Sequence, residues 1–427
     1  MNYLVEHLLK DALKALNRQI DLKIRSNSTY HQEDILNLIL LASVNTTSAE
    51  SSVVELKEVK SKKDILSADI IFYHIEKQGY TRLLCQLDQV VNSSHQLAAK
   101  RRLFGKYAAL AIDIHEIPYY GEVNNPLIMG CKHNRGTSYC YKYATIDVVE
   151  KNQRFTLKVI PLTPLSKNED VVKELLEHAM KYVHIKYVLL DRGFFSIEVI
   201  KALGSLKLKY IMPVPKNDRI KEIIKDNSNR KRYFLKYSMG PKKNKITFNL
   251  MVKYSEKDKE YHPFATNFEI KDEKDIDCIA ELYRKRWGIE TGYRVKKDFL
   301  AKTTTQRYAI RMFYFMVSVI LYNFWLLCNM IYCRENGIEL GTPKITTRIM
   351  KLHITMYLSN TLGEMLIKDL PENQNSVSYR IFLLKIHKNP CCASLNQTIF
   401  IIIRINDKLH RKKVKSKYYL RKYCKKK

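Results

Sequence analysis

The chain has 427 residues, of which 74 are Lys or Arg and 43 are Asp or Glu, so its formal charge at pH 7 is +31. This charge and a pI near 9.6 exclude an ordinary neutral metabolic enzyme as the default, and a hydrophobic content of 46% excludes a chain that is mainly disordered. Such a basic protein is typical of those that bind phosphate backbones, although an anionic membrane surface attracts the same charge. Nucleic acid is therefore the first partner to test.

Residues 1–105 are predicted to form a helical domain, which we interpret as DNA-binding. Apolar residues recur there at helical spacing in three stretches, 3–16, 35–41 and 65–75. The polar stretch 45–52 predicts a break between helices, and Ser67 or Asp69 is placed to cap the third helix.

Residues 106–335 change to the pattern of an α/β domain. Short apolar or alternating runs predict strands at 108–114, 135–149, 154–162, 186–191 and 209–215, and helical spacing predicts helices at 170–182 and 196–203. The order β-β-β-α-β-α-β predicts a mixed sheet covered by helices. Within this domain, residues 216–270 combine many Lys and Arg with aromatic residues and two alternating stretches, so we expect a basic, β-rich insertion.

A long helical pattern begins at Glu273 and runs past Leu300. It is followed by 21 residues without a charge, 312–332, which are long enough to cross a membrane. Asn323 and Asn329 lie inside this segment and arginines flank it on both sides. These polar residues favour the other interpretation, a helix buried in the centre of the domain.

Residues 336–427 form a C-terminal region with a basic tail. The last 17 residues, from Arg411, contain ten Lys or Arg and no acid. A tail of this composition is predicted to lack fixed structure until it binds phosphate.

Nine cysteines are few for this length, and none belongs to a Cys-x2-Cys pair. Cys131 and Cys140 flank His133, and Cys391 adjoins Cys392. A zinc site and ordinary thiols are both open interpretations, and the loose spacing favours thiols. Sparse cysteines, with an N-terminus that lacks the apolar core of a secretory signal, predict a cytoplasmic protein.

Three acids stand out by position. Asp113 lies inside an apolar strand, Asp191 ends another, and Glu290 lies on the long helix. A carboxylate buried in a strand is costly unless a cation pairs with it, and a divalent metal ion is such a cation. The alternative is that each strand Asp is a turn or capping residue. Asp147, on the second predicted strand, is interpreted as a surface or turn acid.

The helix around Glu290 carries the strongest pattern. Polar and aromatic residues recur at spacings of three and four, on Tyr283, Arg286, Glu290, Tyr293 and Lys297. At about 100° per residue, these side chains share one stripe of an α-helix. Such a stripe suits a face turned toward a metal ion and a phosphate backbone. The alternative is a surface helix with an ion pair between Arg286 and Glu290.

This stripe resembles the Tyr-x2-Arg-x3-Glu-x6-Lys signature of the DDE transposases of bacterial and archaeal insertion sequences, in the branch with a β-strand insertion. The segment YRKRWGIETGYRVKK matches the signature without a gap. The segments AIDIHEIPYYG, with Asp113, and LLDRGFF, with Asp191, resemble the blocks around the family's first two acids. The resemblance covers residues 107–335.

The resemblance implies an α/β fold with an RNase H-like catalytic core, a β-rich insertion and a preceding helical N-terminal domain. It implies that Asp113, Asp191 and Glu290 are the catalytic acids and hold two Mg²⁺ ions about 4 Å apart, with Mn²⁺ as a substitute. Four further residues are expected to contact DNA: Tyr283, Arg286, Lys297 and Arg192.

The implied function is that of a transposase that binds the terminal inverted repeats of an insertion sequence and catalyses metal-dependent cleavage and strand transfer. Its expected partners are double-stranded DNA, at element ends and targets, and a second copy of the chain; no membrane is expected. Its expected location is the cytoplasm of a prokaryote, at the nucleoid. Two alternatives stay open. One is an inactive or domesticated DNA-binding protein or related metal-dependent nuclease, and the other is a membrane-attached basic protein that uses residues 312–332 as a span.

Overall fold

The structure is a computed structural model that describes residues 2–60, 66–105, 107–134, 136–151, 153–367, 398–405 and 408–415. The chain divides into two compact units, Met1–Glu364 and Met365–Lys427. The helical N-terminal region and the sheet belong to the same unit.

Five helices make up the N-terminal region: α1 (Asn2–Gln19), α2 (Gln32–Asn45), α3 (Ala49–Lys60), α4 (Ala68–Glu76) and α5 (Tyr80–Lys100). The break predicted at 45–52 is shorter than expected. Thr46 ends α2 in the left-handed conformation (φ 53°), and α3 already begins at Ala49. Ser67 precedes α4 as predicted, but its side chain makes no capping hydrogen bond.

A nine-stranded mixed sheet follows in the chain. Its strands are β1 (Ala108–Pro118), β2 (Met129–Asn134), β3 (Thr137–Val148), β4 (Thr156–Pro161), β5 (Ile185–Leu190), β6 (Tyr210–Pro213), β7 (Arg232–Met239), β8 (Ile246–Ser255) and β9 (Glu260–Thr266). The order is β2-β3-β1-β5-β6-β9-β8-β7, with β4 also pairing with β3. The pairs β1–β5 and β5–β6 are parallel, and all the other pairs are antiparallel.

The predicted β-rich insertion continues this sheet rather than standing apart from it. β9 pairs with β6, so that β7, β8 and β9 extend the sheet at one edge. Five helices accompany the strands: α6 (Asn168–Ala179), α7 (Ile197–Ser205), α8 (Asp218–Asp226), α9 (Glu273–Arg284) and α10 (Trp287–Lys297). The fold is therefore the α/β, RNase H-like architecture that the sequence predicts.

The apolar segment forms α11 (Tyr308–Glu335), and 94% of the most apolar 18-residue stretch of this helix is buried inside the protein. Within the described residues, it is the one helix long and apolar enough to cross a membrane. α11 contacts α1, α2, α4 and α5, and its polar residues bind backbone. The Asn323 amide donates to the carbonyl of Thr156 (2.9 Å) and accepts from its N–H (3.1 Å), while the Asn329 amide bonds to the backbone of Ile345. These asparagines therefore lie in a buried helix, as expected.

The C-terminal region contains α12 (Thr347–Ile367) and an antiparallel pair, β10 (Thr398–Ile405) and β11 (Lys408–Lys415). The prediction of an unstructured tail from Arg411 is wrong for residues 411–415, because these pair with residues 398–402. The cause is the sequence of β10, TIFIIIRI, whose β-branched residues strongly favour a strand that the basic segment can join. Residues 416–427 lie outside the described part of the chain.

Candidate active site

Two of the three predicted acids meet because β1 and β5 are parallel neighbours. Ile112 pairs with Leu190, so Asp113 and Asp191 follow at the same level of the sheet. The Asp113 side chain is 16% exposed, whereas Asp191, just beyond β5, is 45% exposed. The third acid, Glu290, comes from the first turn of α10. The three residues thus lie on three different elements that converge at one point.

Arg286 joins the three acids. Its Nη2 donates to Glu290 Oε1 (2.6 Å), and its Nη1 lies 3.8 Å from Asp113 Oδ2 and 3.9 Å from Asp191 Oδ1. The Arg286 side chain is only 12% exposed, so its ion pair with Glu290 is not the solvent-exposed pair of a surface helix. One guanidinium group therefore lies within 4 Å of all three carboxylates in a half-buried site.

Negative charge is costly at this site. Burial, assisted by the negative charges of Asp191 and Glu290 and opposed by the positive charge of Arg286, raises the pKa of Asp113 to about 7. Three carboxylates are hard oxygen donors of the kind that bind Mg²⁺ or Mn²⁺, and a divalent cation would relieve this repulsion. The donor chemistry of these three carboxylates therefore fits a divalent metal ion.

A break in the helix places Arg286 over the acids. The single helix predicted from Glu273 past Leu300 is wrong, since α9 ends at Arg284 and α10 runs only from Trp287 to Lys297. Around this junction, the N–H groups of Lys285, Arg286, Gly288 and Ile289 all bond to the carbonyl three residues earlier, which tightens the turn. Lys285 Nζ donates a hydrogen bond to Glu150 Oε2 (3.1 Å). The predicted stripe is therefore divided between two helices.

A buried ion pair fastens α10 to the sheet. Lys296 Nζ donates to Asp147 Oδ2 (2.9 Å), and the side chains are 2% and 0% exposed. Next to this pair, the Tyr293 hydroxyl lies 2.6 Å from Thr145 Oγ1. The interpretation of Asp147 as a surface or turn acid is wrong, because α10 covers this part of β3. Burial raises the pKa of Asp147 and lowers that of Lys296, and their mutual attraction opposes both effects.

Sequence reasoning missed Lys296, although a signal was present. Ile289, Tyr293 and Lys296 are spaced by four and three residues, and all three are buried on one face of α10. A lysine that occupies the apolar stripe of a helix needs a buried acid as its partner. Asp147, on a strand of mostly apolar and β-branched residues, was the available one.

The predicted DNA-contacting residues have different positions. Tyr283 is half-buried, its hydroxyl donates to the Leu190 carbonyl (3.3 Å), and its ring centroid lies 5.0 Å from that of Phe264. It thus packs against the strand that ends at Asp191. Arg192 is exposed in the short 3-10 turn that follows.

Lys297 is exposed and lines a neighbouring cleft of about 520 Å³. Three other cationic side chains line this cleft: Lys302, Arg311 and Lys351. The structure therefore gathers the three acids, Arg286 and Tyr283 at one point, and it places Lys297 in the adjoining cleft.

A basic patch beside the acids was also missed. Trp287, immediately after Arg286, is 64% exposed. Four cationic side chains line the shallow cleft of about 250 Å³ next to it: Lys151, Arg154, Arg284 and Lys285. An exposed tryptophan among cations is typical of surfaces that stack on bases and bind phosphates.

An RNase H-like sheet that presents three clustered carboxylates defines an enzyme class, the metal-dependent phosphoryl transferases that act on nucleic acids. The model of the transposase DDE domain family matches residues 105–324, just over half of the chain. The chain therefore belongs to the DDE transposases, enzymes that cleave DNA and that generally use divalent metal ions.

Solved structures extend the comparison to the whole fold. The chain is similar to the piggyBac transposase in a cryo-EM structure of its synaptic complex with hairpin DNA. The TM-score is 0.54 at 16% identity, over 88% of this chain and 87% of that chain. No curated protein matches the sequence.

Proposed function

We propose that this transposase binds the two ends of an insertion sequence, cuts the DNA there and joins the freed 3′ ends to target DNA. The observation that carries the proposal is the convergence of Asp113, Asp191 and Glu290 on Arg286. The similarity to a transposase in complex with DNA supports the same conclusion.

The three carboxylates would hold two divalent ions, Mg²⁺ or, as a substitute, Mn²⁺. When bound, such ions activate the attacking oxygen and stabilise the leaving oxygen at phosphorus. Asp113 must be ionised to serve as a ligand, so metal binding competes with the proton of this carboxyl, and the apparent affinity for the metal ion should rise with pH. Arg286 offers forked N–H donors to the oxygens of the scissile phosphate. Tyr283 fixes the end of β5 and thereby the position of Asp191.

DNA would reach the acids along two basic surfaces. The Lys297 cleft and the patch around Trp287 lie at opposite ends of α10, with Glu290 between them in the sequence. Arg192, exposed directly after Asp191, adds a further cation. Holding two DNA ends together requires two active sites, so we propose a homodimer on DNA.

The test is a cleavage assay with the full chain and its gene flanked by several hundred base pairs of DNA, in Mg²⁺ or Mn²⁺. We expect discrete cuts at flanking inverted repeats from the wild type. Asp191→Asn and Glu290→Gln should lower the cleavage rate by at least about a hundredfold, since each removes a charged ligand of the reacting centre.

Glu281→Gln is the matched control, because Glu281 is an exposed acid on α9 that pairs only with Arg284 among the described residues. Its cleavage rate should equal that of the wild type. If wild type, controls and active-site variants all bind DNA and none cuts it, the chain is an inactive or repurposed DNA-binding protein. If Asp191→Asn still cuts the DNA, the acids do not have the proposed catalytic roles.

A further inference from the structure

Three metal-ligating side chains meet near the far end of β1, outside the acid cluster. Cys140 on β3 lies between two strands, opposite Pro118 of β1 and Met129 of β2. Glu116 and Cys131 lie two residues from these partners along their own strands. Their three ligand atoms, two Sγ and one carboxylate oxygen, all lie within 4.8 Å of one another, the one such group found among the described residues.

We propose that Glu116, Cys131 and Cys140 form a binding site for a thiophilic divalent metal ion, zinc being the best fit. Two thiolates and one carboxylate are a ligand set that zinc accepts, and they complete a tetrahedral site with one water molecule. With Zn–S bonds of about 2.3 Å and a Zn–O bond of about 2 Å, neighbouring ligand atoms lie about 3.3–3.8 Å apart. Small side-chain rotations reach these distances from the observed ones.

The site has one buried wall and one open side. Cys140 is 0% exposed, Cys131 is half-buried, and the Glu116 side chain is 42% exposed, so an ion can enter from the solvent. Burial, together with Cys131, raises the pKa of the Cys140 thiol to about 12. Binding must therefore release the proton of the Cys140 thiol, and affinity should rise with pH.

Lys142 is the competitor of the metal ion. Its ammonium lies 2.9 Å from the Glu116 carboxylate and supplies the compensating charge in the absence of metal. A bound ion would replace this pair, so removal of the lysine charge should tighten binding. If Lys142 only stabilised the pairing of the strands, its removal would instead leave the metal affinity unchanged or lower it.

The site would link β2, at the edge of the sheet, to β1 through β3. Asp113 lies three residues before Glu116 on β1, which gives the link a position close to the catalytic strand but separate from the acids. The ion is thus a structural one, and its ligands do not overlap with those of the proposed reaction.

The experiment titrates the reduced, metal-free full chain with Co²⁺ as the probe and then displaces it with Zn²⁺. Thiolate ligation gives a ligand-to-metal charge-transfer absorption that the oxygen ligands of the acid cluster do not give. We expect this absorption in the wild type and its loss in Cys131→Ser. Lys142→Met should raise the Co²⁺ affinity about tenfold, and Glu116→Gln should lower it by a similar factor.

Cys278→Ser is the matched control, because Cys278 is an exposed thiol on another element, and its spectrum should equal that of the wild type. The readout is the difference between wild type and Cys131→Ser, since Cys391, Cys392 and Cys424 are also present in the chain. Equal spectra for these two proteins overturn the proposal. So does an unchanged or lower affinity in Lys142→Met, or a disulfide between Cys131 and Cys140 that persists in reduced glutathione.

Discussion

Lys296 and Lys297 are neighbours in the chain with opposite surroundings. Lys296 is buried against Asp147, whereas Lys297 is exposed in a basic cleft. The matched signature could not assign these roles, because it names only Lys297; the spacing of Ile289, Tyr293 and Lys296 is the pattern that indicates the buried lysine. The direction of each side chain depends on how α10 lies against the sheet.

Lys296→Met should lower the free energy of unfolding by about 3–5 kcal/mol, because it leaves the charge of Asp147 buried without a partner. The measurement is urea unfolding of the metal-free protein. The double variant with Asp147→Leu should regain part of this loss.

Lys297→Met is the matched control, and it should change stability by less than about 0.5 kcal/mol. It should instead weaken DNA binding and cleavage. Equal destabilisation by the two substitutions would contradict this division between a structural lysine and a DNA-contacting one.

His95 makes the stability depend on pH. It is fully buried, its Nε2 lies 2.9 Å from the Thr156 carbonyl, and burial lowers its pKa to about 3. The folded state therefore keeps His95 neutral while the unfolded state gains a proton below pH 6.5. This contribution is complete above pH 6.5 and falls by on the order of 3 kcal/mol between pH 6.5 and pH 4.

His95→Gln should flatten the decrease in unfolding free energy over this range, since glutamine keeps a donor but gains no charge. The measurement is denaturant unfolding at a series of pH values. His184→Gln, at an exposed histidine, controls for the substitution itself. Parallel pH curves for wild type and His95→Gln would show that His95 does not supply the effect.

Local sequence contexts single out the three acids, and their catalytic role stays a prediction. Asp113 interrupts an apolar strand, Asp191 ends another, and Glu290 lies in a polar stripe. The position of Arg286 among them could not be found, because it depends on the tight turn between α9 and α10. The sequence drew attention to Cys131 and Cys140 together with His133, but that Glu116 rather than His133 joins them depends on strand pairing.

At the level of elements, Asn323 connects the central helix to the sheet. Its amide occupies both the N–H and the carbonyl of Thr156 in β4, and His95 shares that carbonyl. Asn323 thus fixes the depth and rotation of α11 against the sheet.

Asn323→Leu should lower the free energy of unfolding by about 1–3 kcal/mol, because a buried N–H loses its acceptor. Thermal or urea unfolding measures the change. Asn336→Leu, at an exposed asparagine just after the same helix, should stay within about 0.5 kcal/mol of the wild type. If both variants unfold like the wild type, Asn323 does not anchor the helix.

The strands and helices of the catalytic domain follow the predicted order because the apolar residues of each element recur with the period typical of a strand or of a helix. β5, α7 and β6 lie within a few residues of the predicted bounds. α5 was missed although Leu83, Leu87 and Val90 have helical spacing, so its signal was readable. β2, with the sequence MGCKHN, has no strand pattern and forms because β3 offers it an edge. Such elements depend on tertiary contacts.

At the scale of the whole molecule, the charge of +31 predicts how DNA binding responds to salt. The logarithm of the affinity should fall linearly with the logarithm of salt concentration, with a slope set by the number of phosphates contacted. Deletion of residues 416–427, which contain six Lys or Arg and no acid, should make the slope shallower.

Binding to a DNA duplex of unrelated sequence, measured between about 50 and 200 mM salt, tests this expectation. A deletion variant of residues 2–5, near the opposite end of the chain and without Lys or Arg, is the control. An unchanged slope after removal of 416–427 would show that these cations do not meet phosphate.

The burial of α11 also constrains how the chain is made. A segment this apolar would attract chaperones or a membrane-insertion machinery if it left the ribosome uncovered. The helices that cover α11 are synthesised before it and are available when it emerges; they are α1, α2, α4 and α5. The order of elements along the chain thus protects this apolar segment, and a protein that starts after residue 105 should precipitate or enter membranes during synthesis.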